Sequence, residues 1–157
     1  MKFFLPLKPL NYEILSHKRE KDVYLSLKNE TANDFDVFSE CPFYGSVSEN
    51  SFEISLNTGK RNTMKPKING SFSEKSEKTL INITVPCEIG VVIFILQLFA
   101  ILHLITAIPV FFTQNISAGM DSLLEGLIFN IILQMLVQFG FYKPLKVTLK
   151  KLKEIVT

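Results

Sequence analysis

The chain has no tryptophan, only two cysteines and only two histidines in 157 residues. Each scarcity excludes a class of chemistry. Cys41 and Cys87 are separated by 45 residues, which is neither a zinc-ligand spacing nor a C-x-x-C pair, so no structural zinc site or dithiol centre is encoded. They read as two separate reduced thiols. Neither His17 nor His103 sits in an H-E-x-x-H motif, and G-x-S-x-G, P-loop and G-x-G-x-x-G patterns are also missing. The expectation is a non-enzyme with no cofactor and no metal.

The most informative absence is basic charge. No Lys or Arg occurs between Thr79 and Tyr142, although the whole chain holds 17. Residues 1–87 carry 12 basic and 11 acidic groups, and residues 143–157 carry five Lys and one acid, Glu154. The net charge of +2 is therefore an average over unlike segments. Nowhere do Lys and Arg form a long run interleaved with aromatics, so no nucleic-acid partner is expected. The opening "MKFFLPLKPL" is broken by Pro6 and Pro9 and is followed by no small-residue cleavage site. It reads as part of a folded domain and not as a signal peptide.

The uncharged middle contains two long apolar runs. Ile89–Phe112 has 24 residues without a formal charge, about 36 Å as a helix against a hydrocarbon core of about 30 Å. Residues 1–87 are too polar to bury such a helix on all sides. A second run, Leu123–Tyr142, has 20 residues and a helical length of about 30 Å. The ten residues between them, "TQNISAGMDS", read as a short loop. The predicted architecture is a transmembrane helical hairpin over 88–142, with spans 89–112 and 123–142. Lys75 and Lys78 precede it and five Lys follow it, while the loop has none. The positive-inside rule then places both termini in the cytoplasm of a multi-pass protein of the inner membrane.

Polar residues inside the spans form a second pattern. Asn130, Gln134 and Gln138 recur every four residues, on one helical face. With Gln97, His103 and Thr106 of the first span they are candidates for a polar interface. Such groups hydrogen-bond between helices in lipid. They would serve within the hairpin, between subunits of a homo-oligomer, or as a pore lining. Ser122 and Glu125 have capping-box spacing, which predicts that Ser122 caps the second span and that Glu125 sits at the membrane interface. In the tail, residues 143–157, Leu145, Leu149, Leu152 and Val156 share a seam away from Lys146, Lys150 and Lys153. This is a basic amphipathic helix, suited either to the anionic bilayer surface or to packing on the domain.

Residues 1–87 read as a cytoplasmic α+β domain. Period-two alternation predicts strands at "FYGSV", "SFEISLN", "KINGSFS" and "TLINITV", each with an apolar side. Ser48–Ser51 is a tight turn and Ser73–Lys78 a charged hairpin loop. Upstream, Asn11–Leu15 reads as a short strand, and Ser16 as the N-cap of a covering helix with Val23, Tyr24 and Leu27 on one side. Thr31–Pro42 reads as loop with a short strand around Phe35–Phe38. The expected fold is an antiparallel β-sheet in the order β-α-β-β-β-β under one helix. Gly45 and Gly70 fall on the apolar side, leaving either room for Tyr24 or Phe52 or a ligand groove. Lys60, Arg61, Lys65 and Lys67 cluster in one connection and are the candidate ligand-binding residues, for headgroups or a phosphate-bearing ligand.

Three stretches carry a resemblance: "FYGSVSENSFEIS" (Phe43–Ser55), "RNTMKPKINGSF" (Arg61–Phe72) and "TLINITV" (Thr79–Val85), followed by paired spans. This resembles small uncharacterised bacterial membrane proteins of Bacteroidetes-like genomes, with the pattern F-x-G-x-V, F-x-I, R-N-x-x-x-P-x-I-x-G and then two spans. Phe43, Gly45, Arg61, Asn62, Pro66 and Gly70 match it. The resemblance covers most of residues 10–142 and implies structural positions, not an activity.

The function expected is that of a non-enzymatic integral membrane protein. Its partners are the lipid bilayer, a protein or small ligand bound by the cytoplasmic domain at the membrane surface, and further copies of itself through the spans. The alternative is a ligand-sensing effector whose spans oligomerise into a pore or disrupt the membrane.

Overall fold

The computed structural model describes residues 8–59, 65–75, 78–86, 90–113 and 116–157. Side chains are described for these except at 90–94, 106–107, 109–113, 116–119 and 122. The described elements are strand β1 (Leu10–Ser16), helix α1 (Glu20–Asn29), β2 (Thr31–Ala32), β3 (Phe43–Val47), β4 (Ser51–Leu56), β5 (Ile68–Lys75), β6 (Lys78–Val85), α2 (Gly90–Thr113), α3 (Ile116–Val137), a π-helical turn (Gln138–Tyr142) and α4 (Lys143–Val156). The fold is α+β. The chain divides into two compact units, one of which is Lys8–Cys87 with Gly140–Thr157. The other contains α2 and α3.

In the first unit the sheet has six strands in the order β1-β6-β5-β4-β3-β2. Four neighbouring pairs are antiparallel, but β2 runs parallel to β3. The sheet is thus mixed, not purely antiparallel. The extra strand lies at Thr31–Ala32, directly after α1, and not around Phe35–Phe38. Thr31 turns the chain out of the helix by donating its hydroxyl to the Leu27 carbonyl at 2.7 Å. At Phe35–Phe38 the chain instead forms a turn, in which the Asp36 carboxylate accepts from the Phe38 N–H at 2.9 Å.

Alternation decides the buried face, as period two requires. Phe52, Ile54 and Leu56 of β4, Ile68 and Phe72 of β5, and Ile81, Ile83 and Val85 of β6 are buried. The turn at Ser48–Ser51 closes through the Ser48 N–H to the Ser51 carbonyl at 2.8 Å. Ser16 does not cap α1. It is the last, fully buried residue of β1, and Arg19 occupies the N-cap without a side-chain bond. The Ser16 hydroxyl is used elsewhere: it donates to the carbonyl of Val156.

That bond decides between the two readings of the tail. Helix α4 packs on α1 and β4, with Leu145, Thr148, Leu152 and Val156 buried. Leu149 is only half-buried, and Thr148 takes its place in the seam because its hydroxyl donates to the Pro144 carbonyl at 2.8 Å. The cover of the sheet is therefore two helices, α1 and α4, instead of one.

In the second unit α2 packs along α3. The chain leaves α2 at Thr113 and enters α3 at Ile116, so most of the expected ten-residue loop is helix. Helix α3 has begun six residues before Ser122, which places Ser122 and Glu125 in the helix interior and rules out the capping box. The helices approach closely at Gly126, where a Cβ would lie 2.7 Å from Leu104 Cδ2 and 3.2 Å from His103 Cδ2. By length and composition, one helical run among the described residues could cross a membrane, Leu123–Val156; the apolar stretch described in α2, Ile95–Ile105, is shorter.

Candidate functional site

The basic connection does not assemble a site among the described residues. Lys60 and Arg61 lie outside them. Lys65 is only 8% exposed, with Nζ 5.6 Å from the centre of the Phe35 ring. Burial lowers its pKa from the ordinary 10.5, because removal from water disfavours the charged amine. Lys67 is exposed and paired with Glu53 at 3.2 Å. One described amine is thus built into the domain and the other faces solvent.

The two sheet glycines are filled by protein. Gly70 pairs with Phe52 on β4 and Ile83 on β6, and a Cβ there would run into the Phe52 ring. The Phe52 ring in turn packs on Phe72, with centroids 5.3 Å apart. Gly45 has a φ of +141°, and a Cβ there would strike the Glu53 carbonyl. It is a close backbone approach between β3 and β4. Neither position leaves the groove that the sequence allowed.

A surface cavity of about 430 Å³ does exist beside α1, lined by Glu20, Lys21, Tyr24, Glu49 and Asn50. Next to it Lys28 Nζ donates to Tyr24 Oη at 2.8 Å. That bond, together with the electrostatic effect of Tyr24, raises the Lys28 pKa. The group is fully exposed, and its neighbours carry both charge signs.

The helix pair exposes many large apolar side chains and buries one glutamine. Gln97 (1% exposed), Ala100, Leu133 and Val137 are buried. Asn130, Gln134 and Gln138 are half-buried, and the Gln134 Oε1 is buried with no hydrogen-bond partner among the described residues. Large apolar side chains face outward instead: Leu98, Phe99, Leu102 and Ile105 on α2, and Leu124, Leu127, Ile131 and Met135 on α3. Of the candidate interface residues, Gln97 sits inside and the Asn130/Gln134/Gln138 stripe lies along the partly covered flank. His103 is exposed, and the Thr106 side chain lies outside the described residues.

His103 does meet something the sequence did not bring to it. It lines a slot of about 350 Å³ with Phe99 and Ala100 of α2 and with Glu125, Gly126 and Phe129 of α3. The spacing signal was present: Phe99 and His103 are four apart, as are Glu125 and Phe129, so each pair shares one helix face. The capping-box spacing of Ser122 and Glu125 competes with that signal. Among the described residues no group of three or more His, Cys, Asp and Glu could hold a metal ion. Cys41 is a free thiol, its Sγ 3.8 Å from the Asn29 carbonyl, and Cys87 lies outside the described residues.

No protein-family model matches the chain, and no curated protein is significantly similar to it.

Proposed function

We propose that the chain is a non-enzymatic integral membrane protein. In this reading α2 and α3 cross the inner membrane as a hairpin, both termini are cytoplasmic, and the mixed-sheet domain binds a partner protein or small ligand at the membrane surface. The observation that carries it is the apolar outer surface of the helix pair. Gln97 is buried in a helix pair whose exposed side chains are mostly Leu, Ile, Phe and Met, several of them more than half exposed. In water such a surface would be a large apolar patch of the kind soluble proteins avoid. In lipid the same surface meets its own solvent, and buried polar side chains help hold helices together. The Lys distribution supports the orientation.

In this reading α4 is not a membrane-surface helix, because its apolar seam is occupied by α1 and β4. Glu125 becomes the unusual residue. An ionised carboxylate near the centre of a span costs about 2.5–3.5 kcal/mol on insertion scales.

Alkaline carbonate washing of membranes from expressing cells tests the anchor, and thiol labelling of single cysteines placed at Asp34 and Asn115 tests the orientation. The reading expects the chain in the washed pellet, Asp34→Cys protected in intact cells and Asn115→Cys labelled. Release into the carbonate supernatant would overturn it.

A further inference from the structure

The slot between α2 and α3 combines features that the anchor itself does not require. Its floor is made of small residues, Ala100 and Gly126, and its walls are two phenyl rings, one imidazole and one carboxylate. Its depth follows from helix rise. Glu125 is nine residues from the start of α3 and His103 ten from the end of α2, so each lies about 14–15 Å along its helix from the connection. That is near the middle of a hydrocarbon core of about 30 Å. A carboxylate at that depth calls for a counter-charge. Among the residues lining the slot, His103 is the one side chain that could carry positive charge. No Lys or Arg lines the slot to supply that charge.

We propose that this slot binds a lipophilic monovalent organic cation, with the Glu125 carboxylate as counter-ion and the rings of Phe99 and Phe129 against its apolar body. The proposal rests on the membrane reading above. About 350 Å³ is within the range of small-molecule sites. Phenyl faces attract quaternary ammonium groups, most strongly where water is excluded. An inorganic cation fits the lining less well, because it would need several oxygen ligands and the slot offers one carboxylate.

The test uses the full chain in lipid nanodiscs and two probes of the same shape, phenyltrimethylammonium and uncharged tert-butylbenzene, with binding followed by equilibrium dialysis against empty nanodiscs. Saturable binding of the cation is expected, at least tenfold tighter than any saturable binding of the hydrocarbon. Glu125→Gln should weaken it tenfold or more, and Phe129→Leu several-fold. Asp121→Asn, an exposed acid outside the slot, should leave it unchanged and controls for non-specific charge effects. Equal binding of both probes, or cation binding untouched by Glu125→Gln, would overturn the proposal. No binding by a chain that resists carbonate extraction would overturn the site and spare the anchor, whereas a chain that carbonate releases would overturn both.

Discussion

Lys18 donates from Nζ to the carbonyl of Ile155 at 2.7 Å, joining the chain just after β1 to the last turn of α4. Two more contacts surround it: the Ser16 hydroxyl to the Val156 carbonyl, and the Thr79 hydroxyl to the Lys18 carbonyl at 2.8 Å. The last carbonyls of a helix have no partner within it and carry the negative end of its dipole. A lysine and a serine from the sheet domain satisfy two of them, which fixes the docked position of α4.

The first prediction concerns this joint. Leu152 is fully buried, and Leu152→Ala should cost about 2–5 kcal/mol. Lys18→Met removes one charge-assisted bond and should cost about 1–2 kcal/mol. Hydrogen exchange across Leu145–Val156 should quicken in both variants. Unchanged protection would mean that α4 does not depend on this seam.

The second prediction separates packing from backbone freedom at the sheet glycines. Gly70→Ala should destabilise the domain because the new methyl meets the Phe52 ring, an overpacking cost of about 1–3 kcal/mol. Phe52→Leu in the same chain should recover part of that loss. Gly45→Ala should show no such rescue, because its obstacle is the Glu53 backbone. Denaturant titration of the four variants reads both effects.

The third prediction follows from Lys65. Burial lowers its pKa in the folded protein, so the folded state releases that proton before the unfolded state does. In the window between the lowered pKa and 10.5 the unfolded chain binds more protons, and stability rises with pH. Below that window Lys65 is charged in both states and its burial is a standing cost. Lys65→Met should therefore be neutral or stabilising at neutral pH, and the advantage should shrink as pH climbs toward 10.5. Lys28, whose pKa is raised, acts in the opposite sense at higher pH and is common to both proteins. Melting curves of wild type and variant, compared at each pH, isolate the Lys65 contribution. A difference that is constant with pH would contradict it.

Much of the sheet was legible because alternation is a local signal: the strands containing Phe52, Phe72 and Ile83 lie where period two puts them. The strand at Thr31–Ala32 was not legible. Two residues carry no periodicity, and this pairing depends on where α1 ends. The docking of α4 depends on Lys18 and Ser16, more than a hundred residues away, and no pattern within the tail can report it. The place of Glu125 is hidden from the sequence for a related reason. "S-L-L-E" has capping-box spacing wherever it falls, and only the true start of α3 at Ile116 shows that it lies inside a helix. Of the basic cluster, Lys65 is buried and Lys67 exposed, a difference that proximity in sequence does not report, while Lys60 and Arg61 lie outside the described residues.

The fourth prediction tests pore against anchor. Gln134 presents a buried acceptor without a partner among the described residues. Exchanging such a group for an apolar one is nearly neutral or favourable. Gln134→Leu should therefore leave the extracted protein intact and at least as heat-resistant as wild type. Replacing Asn130, Gln134 and Gln138 together by Leu should leave partner binding by the domain intact, and planar bilayers with wild-type protein should show no conductance. Wild-type conductance abolished by the triple change would favour the pore.

The central claim is that the outer surface of the α2–α3 pair faces hydrocarbon. Nitroxide labels at Leu102 and Ile128, both exposed on the pair, test it directly in liposomes when Cys41 and Cys87 are replaced by Ser. Asp34 in the sheet domain serves as the aqueous reference. The account predicts strong relaxation by molecular oxygen and weak relaxation by a water-soluble nickel chelate at Leu102 and Ile128, with the reverse at Asp34. Nickel accessibility at Leu102 and Ile128 equal to that at Asp34 would contradict it.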